Sequence, residues 1–573
     1  MPAPQRARRN VARALTVAVL TVGTGALATL PGDVPHAPPA HGASPAAAVA
    51  PSPTRPNLVV VMADDMRADD LRFMPAVRRL VAARGLTFRN SFSPYPLCCP
   101  ARASFLTGQY AHNHGVASNE LPYGFAAFDD RRTLATSLSA AGYRTAFVGK
   151  YLNAYGRVPS PTTGGPSMRY VPPGWTDWFG AVGLRPRLGS LVPWAGPYNY
   201  FGTSFNHNGR LDLSHRGEYQ TNVLGQMSRR IVERYSRRTK PFFLYLSSLA
   251  PHHGTPHERG DIDAVRNGDR VFEFKSPARP RSVRGHFNDV VTRPPGLPLS
   301  GPSEGDMSDK AWGAEELEMS PAEVRADLQL TRQRAESLLV LDRQVRLLVQ
   351  KLRTTGELND TVFVVTSDNG FFLGEHRIRN GKIRPYEPSL RVPLVLAGPG
   401  IPHGVRYDPA TTVDLMATLV DLANAPFPLV PDGRSLVPSF AGDRGWDTAI
   451  VTEAVAGGVP VPPGVDRTEL GFTDVRTSIG LRTGRWKLIR YDSGDVELYD
   501  LDVDPNELES IADSPVHAQT LADLLALWET LASCAGEVCR TALPPSLRLD
   551  PEALRESTLQ QMAGVRARHG LTY

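Results

Sequence analysis

Two short runs of uninterrupted apolar residues do the most to limit how this chain can fold. Residues 57–63 (NLVVVMA) run into Asp64-Asp65, and residues 361–366 (TVFVVT) run through Ser367 into Asp368-Asn369. Runs this short have the length of strands, and without polar alternation they must be covered on both faces. A sheet with helices on both sides provides that cover, and in open α/β sheets ligands gather beyond the carboxyl ends of the strands. Two buried strands that end in Asp64, Asp65, Asp368 and Asn369 can therefore build one site.

The rest of the pattern agrees with an α/β layer fold, a large mixed sheet sandwiched by helices. Further strands are expected at 145–148, 242–246 and 392–397, with helices at 74–84, 134–141 and 223–236. A long helix is expected at 321–353, where Leu330, Leu338, Leu341, Val345 and Leu348 recur near helical spacing. Between 254 and 320 the periodicity fades into Pro, Arg, Asp and Gly, which reads as a surface excursion near the mouth of the site. From about Trp446 short strands at 478–481, 486–491 and 496–499 alternate with turns and precede a helix at 518–532, the pattern of a small antiparallel sheet plus helix. The expected division is a larger domain over 55–445 and an α+β subdomain over 446–573.

The N-terminus reads as processing signal rather than fold. Arg6, Arg8, Arg9 and Arg13 precede an apolar stretch that is shorter than the roughly 20 residues of a spanning helix. Residues 1–28 fit a signal peptide, with Arg8-Arg9 hinting at twin-arginine export, and imply a secreted, extracellular protein with no stable membrane insertion after cleavage. Residues 29–54, dominated by Pro, Ala, Gly and Ser, suit a flexible linker. The formal charge of +5 includes those four N-terminal arginines, so the mature chain is close to neutral and nucleic acid is not an expected partner. Cys534 and Cys539 bracket a short Gly-containing segment that an exported protein can close as a disulfide. Cys98 and Cys99 are adjacent, where a mutual disulfide is strained.

The segment from Cys98 to Gly108 (CCPARASFLTG) carries the most chemistry. Pro100 suits the first turn of a helix, which puts Cys98 just ahead of a terminus that favours anions. Arg102, four residues on, then shares a face with Cys98 and can clamp a nucleophile or oxyanion.

The Cys-x-Pro-x-Arg string followed by Leu-Thr-Gly resembles the signature of the type I, formylglycine-dependent sulfatases of the alkaline phosphatase superfamily, with Ala101 where the family usually has serine. The strings RPNLVVVMADD, VGKYLNAYG, SDNGFFLGEH and VELYDLDVDPNE extend the resemblance over nearly the whole mature chain. They look closest to N-acetylglucosamine-6-sulfatases and related glycosaminoglycan sulfatases. The resemblance implies an alkaline phosphatase-like fold and oxidation of Cys98 to 3-oxoalanine (formylglycine) by a formylglycine-generating enzyme. It makes Asp64, Asp65, Asp368 and Asn369 the ligands of one Ca²⁺, with Mg²⁺ the other option. Converging carboxylates need such a hard cation, because without one they repel and raise one another's pKa.

By the same resemblance Lys150 and Lys382 contact the sulfate, and His252 helps protonate the leaving oxygen. The substrate is a sulfated carbohydrate or aryl sulfate, and the chemistry is nucleophilic catalysis in two steps. Many sulfatases carry a histidine two residues after the lysine at 150, whereas this chain reads Lys150-Tyr151-Leu152-Asn153. The base of the second step is therefore open among His114, His253 and His376, and Asn153 can bind sulfate. His112 reads as a structural loop residue. Two alternatives stand beside this reading, a phosphate or phosphonate ester hydrolase of the same superfamily and a catalytically silent glycan-binding protein. The aromatic-rich stretch 159–208 and the excursion at 254–320 are expected to shape the substrate pocket.

Overall fold

The computed structural model describes residues 55–183, 196–262, 264–313, 316–455 and 477–571, so the expected signal peptide and linker lie outside the described residues. In chain order the strands are β1 (Asn57–Asp64), β2 (Leu86–Phe92), β3 (Arg144–Gly149), β4 (Asp177–Val182), β5 (Ser204–His207), β6 (Arg210–Asp212), β7 (Phe242–Pro251), β8 (Ala264–Asn267), β9 (Arg270–Glu273), β10 (Thr361–Ser367), β11 (Leu394–Ala397), β12 (Gly404–Thr411), β13 (Ile450–Val455), β14 (Thr477–Arg482), β15 (Trp486–Tyr491) and β16 (Val496–Asp500). The helices are α1 (Pro75–Leu80), α2 (Cys98–Thr107), α3 (Ala111–His114), α4 (Leu134–Ala140), α5 (Gln220–Tyr235), α6 (Pro321–Thr354), α7 (Glu387–Leu390), α8 (Thr412–Leu422), α9 (Ala518–Leu531) and α10 (Pro551–His569).

The main sheet has ten strands in the order β12-β2-β11-β10-β1-β7-β3-β4-β5-β6. Its centre, β10-β1-β7-β3-β4, is parallel, while β11 and the β5-β6 end run antiparallel to their neighbours. In β1 the two-residue period divides one apolar run between two cores. Leu58, Val60 and Met62 pack with Phe105 of α2, Leu138 of α4 and Leu419 of α8. Val59, Val61 and Ala63 pack with Val77 of α1, Ile231 of α5 and Leu348 of α6. Both faces are covered, as an unbroken apolar strand requires.

Helix α6 starts where the sequence marks it. Ser320 accepts from the Glu323 backbone N–H at 3.4 Å while Glu323 accepts from the Ser320 N–H at 2.7 Å, with Pro321 at the first position. The helix expected over 74–84 is shorter, with α1 ending at Leu80 and a 3₁₀ turn following over Ala82–Arg84. The strand expected at 392–397 begins only at Leu394, after Pro393, which has no N–H to give a ladder.

The excursion at 254–320 is more than a surface loop. Ala278, Val283, Phe287 and Val291 are buried against Phe73 and against Ala335, Leu339 and Val340 of α6. Arg279 pairs with Glu258, Asp261 and Glu336. The second sheet, β13-β14-β15-β16, is antiparallel, and Leu524, Leu527 and Leu531 of α9 share its core with Phe92, Tyr110 and Val413 of the larger part. Cys534 and Cys539 are joined as a disulfide, while Cys98 and Cys99 are buried free thiols.

Candidate active site

Four adjacent parallel strands deliver side chains to one place. β1 and β10 lie in register with Ala63 opposite Ser367, so the residues that follow meet side by side. The Asp65 N–H donates to Asp368 Oδ1 at 3.1 Å, and Asn369 Nδ2 donates to Asp65 Oδ1 at 2.7 Å. Asp65 sits at φ 67°, a left-handed conformation uncommon outside glycine, and Arg334 of α6 holds its carbonyl. β7 ends at Pro251 and presents His252, and β3 ends at Gly149 and presents Lys150. Gly149, at φ 121°, passes so close to β7 that a Cβ would lie 1.9 Å from the Ser247 carbonyl oxygen. No other residue fits there, and the turn that aims Lys150 depends on it.

The fifth contribution comes from α2, every residue of which is buried. Cys98 is its first residue, one position further into the helix than the sequence suggested. A proline at the third position is tolerated, because the first N–H groups of a helix have no partner within it. Gly108 closes the helix in the left-handed conformation, φ 71°, with its N–H donating to the Ser104 carbonyl at 2.8 Å. The Leu-Thr-Gly tail of the motif is thus a helix stop.

Around Cys98 the charges interlock. The Cys98 thiol lies 3.4 Å from Asp64 Oδ1, and Lys382 Nζ lies 2.7 Å from Cys98 Sγ. Arg102 spans two carboxylates, with Nη2 3.1 Å from Asp64 and Nε 2.8 Å from Asp368, and also bonds Ser247 and the Lys150 carbonyl. Lys150 pairs with Asp64 and Lys382 with Asp65. His252 Nδ1 is 2.8 Å from the His253 carbonyl and must donate to it, which leaves Nε2, 3.7 Å from Asp65 Oδ2, as the bare nitrogen.

Burial alone would raise Asp64, but Lys150, His252, Arg102 and Lys382 outweigh it and hold the carboxyl below its usual range. Burial would likewise raise Asp65, and Lys382 and His252 overcome it. Asp368 goes the other way, raised by burial and then by Asp64 to about 6. Burial and Asp64 push the Cys98 thiol up to about 12, and burial takes His252 down to about 4, so its imidazole is neutral at neutral pH.

The donor set suits a hard cation. Ligand atoms of Asp64, Asp65, Cys98 and His252 lie within 4.8 Å of one another, all in buried side chains. Among the described residues the buried Asn369 Oδ1 has no hydrogen-bond partner, an orphaned acceptor beside three carboxylates. Carboxylate and amide oxygens are the ligands that Ca²⁺ and Mg²⁺ take.

Nine of the residues singled out from sequence therefore come together: Asp64, Asp65, Cys98, Arg102, Lys150, His252, Asp368, Asn369 and Lys382. Asn153 stands at the edge, donating from Nδ2 to the Tyr198 hydroxyl at 2.8 Å, its Oδ1 buried and without a partner among the described residues. Two histidines are engaged elsewhere. His114 Nε2 lies 3.0 Å from Ser104 Oγ and its Nδ1 accepts from the Val116 N–H, while His376 Nδ1 lies 2.8 Å from Glu304 and its ring packs on Tyr386.

Tyr198 escaped the sequence reading. Its ring lies 5.0 Å from Lys150 Nζ and 5.1 Å from the His252 ring, so it touches three of the residues that the motifs had marked. The signal was present only as the aromatic bias of 159–208.

The sulfatase family profile matches residues 56–425. The chain belongs to the sulfatase family. This sulfatase is 29% identical over 535 residues to N-acetylglucosamine-6-sulfatase of Capra hircus, an alignment covering 87% of this chain and 88% of that protein. A solved structure described as in complex with its substrate D-glucosamine-2-N,6-O-disulfate shares the fold with TM-score 0.60 at 22% identity, covering 83% of this chain and 97% of that one. Phosphonate monoester hydrolase from Silicibacter pomeroyi shares it with TM-score 0.56 at 21% identity, covering 86% and 99%. This sulfatase is accordingly a sulfuric ester hydrolase with the alkaline phosphatase-like layered fold expected from its sequence.

Proposed function

We propose that this sulfatase is an exported enzyme that removes sulfate from a sulfated sugar of the N-acetylglucosamine-6-sulfate type, with formylglycine made from Cys98 and a divalent cation, Ca²⁺ or Mg²⁺, at Asp64, Asp65, Asp368 and Asn369. The observation that carries this reading is the convergence on Cys98 of a carboxylate, Asp64, and an ammonium, Lys382, at the ends of a buried parallel sheet. The likeness to the goat N-acetylglucosamine-6-sulfatase over most of both chains supports the substrate class. For export, the support is the basic and apolar N-terminus, and no helix among the described residues is long and apolar enough to cross a membrane.

Formylglycine, introduced by a formylglycine-generating enzyme, would supply a hydrated aldehyde hydroxyl as nucleophile, and the cation would polarise that hydroxyl and the sulfate. The chain's own residues do the rest. Arg102 fixes Asp64 and Asp368 against each other, so the carboxylates do not reorganise when substrate arrives. Lys150 and Lys382 bring positive charge to the sulfate oxygens. His252 is oriented by the bond from Nδ1 to the His253 carbonyl, so its Nε2 serves as the proton-handling atom near the leaving oxygen. Asn153 and Tyr198 line the approach to Lys150.

The test is turnover by enzyme co-produced with a formylglycine-generating enzyme, comparing N-acetylglucosamine-6-sulfate and an aryl sulfate with an aryl phosphate and a phosphonate monoester. Sulfate release should dominate, and Cys98→Ala should lower kcat/KM by about 10³-fold or more with the fold intact. Full activity in Cys98→Ala would overturn the nucleophile assignment. Faster phosphonate than sulfate turnover would move the enzyme to the phosphonate ester class. Heparin binding with no turnover of any ester would favour a silent glycan-binding protein.

A further inference from the structure

The outer surface of the helix layer α1-α6-α5 is basic out of proportion to the chain as a whole, which holds 63 Lys and Arg against 58 Asp and Glu. The stretch 75–84 contains Arg78 and Arg79 and no carboxylate, and the stretch 343–353 contains Arg346 and Arg353 and no carboxylate. In 220–240, which contains Arg230, the sole carboxylate is Glu233. Helix α6 packs against both α1 and α5, and all three bury apolar residues in the same core, so their opposite sides face outward together.

These arginines are available to a partner. Arg78, Arg79, Arg230, Arg346 and Arg353 are exposed, and none makes an ion pair among the described residues. Glu233 is already shared, 3.2 Å from Arg237 and 3.3 Å from Lys351. Asp342, a carboxylate that feels the charges of Arg79 and Arg346, is buried and accepts from the Ala76 and Val77 N–H groups. Cations in a last helical turn complement the helix dipole, which accounts for Arg78, Arg79 and Arg353. Arg230 and Arg346 stand more than a turn before the ends of α5 and α6, where that effect has faded.

This face lies apart from the catalytic centre. The C-terminal ends of α5 and α6 lead to the starts of β7 and β10, whereas the site is built beyond the ends of those strands. The seven residues of β10 separate its start from the site by about 20 Å at ~3.3 Å per residue.

We propose that the outer face of α1, α6 and α5 is an exosite for a sulfated polysaccharide chain, which it holds while the catalytic pocket works elsewhere on the polymer. The proposal rests on the reading that the substrates are sulfated sugars. Guanidinium groups present paired donors that match sulfate oxygens, and a polymer engages several of them at once. Such binding is salt-dependent, because exposed charges are screened within about 8–10 Å at physiological ionic strength.

The probe is fluorescein-labelled heparin, read by anisotropy at physiological ionic strength with the full, matured enzyme. Arg230→Glu/Arg346→Glu/Arg353→Glu should weaken binding by about tenfold or more. The same change of charge on other exposed arginines, Arg132→Glu/Arg555→Glu/Arg566→Glu, should weaken it by less than about threefold. Sulfate release from a small ester should be unchanged in both, and an Arg→Gln version of the first triple supplies a second variant if charge reversal disturbs folding. Equal losses in the two triples, or no loss in the first, would overturn the exosite. A DNA duplex binding as tightly as heparin at matched charge would also overturn it, in favour of a nucleic-acid surface. Affinity is read without turnover, so the two proposals fail separately. Absent sugar-sulfate turnover with intact heparin binding counts against the proposed function, and the reverse counts against the exosite.

Discussion

His112 faces two acceptors, Glu453 Oε1 at 2.9 Å from Nδ1 and the Cys534 carbonyl at 2.7 Å from Nε2, and only the doubly protonated ring can donate to both. Burial opposes that charge, but the bond to Glu453 and its field prevail and raise the pKa. A raised folded pKa gives stability that is complete below the unfolded value of about 6.5 and is lost as pH rises through the folded value. Urea midpoints of wild type and His112→Ala should therefore differ most near pH 6 and draw together toward pH 9. A constant gap would assign the effect of His112 to packing. Tyr198 is the other residue of consequence. Tyr198→Phe keeps the ring over Lys150 but removes the acceptor for Asn153, and should raise KM by about 2- to 10-fold with kcat little changed, the worth of one hydrogen bond. At this scale the sequence was legible where roles are local. Cys98 and Arg102 share a helical face four residues apart, whereas Tyr198, Ser247 and Arg334 reach the site only because strands and helices far apart in sequence are folded together.

Helix α6 packs on β7 and reaches the site through Arg334. Its Asp342 accepts from Ala76 at 3.0 Å and Val77 at 2.8 Å, supplying from a distant element the N-terminal cap that Met74 cannot give to α1. Asp342→Ala should cost about 1–2 kcal/mol in urea unfolding, the usual worth of a helix cap. Leu348→Ala, in the core beneath the same helix, should cost about 2–5 kcal/mol, because a cavity remains. Central elements were readable in advance for a physical reason. β1, β7 and β10 are buried on both faces and must be continuously apolar, and α6 carries a long apolar stripe with its own cap. β12 and β6 form the edges of the main sheet, are only partly buried and carry Arg, Asp and, in β12, Pro409, so their sequences lack the strand pattern.

As a whole molecule, the enzyme concentrates compensated charge at one end of its sheet, and the proposed cation would bind the folded state alone. Adding CaCl₂ to metal-stripped protein should raise Tm, by an amount equivalent to about 2.7 kcal/mol when the ion is at 100 times its Kd, and Asn369→Ala should diminish that shift. A larger shift with MgCl₂ would name the other ion, and no shift with either would remove the cation from the proposal. The chain's order of residues by itself determined the layered α/β class, the helix start at the Cys98–Pro100 segment, and the two carboxylate-tipped strands, because local spacing and burial on both faces leave few other solutions. Only the tertiary structure decided that β10, β1, β7 and β3 lie side by side, so that Asp368, Asp64, His252 and Lys150 meet, and that His114 and His376 have other partners. Strand order and long-range contacts arise from packing between segments that the sequence keeps hundreds of residues apart.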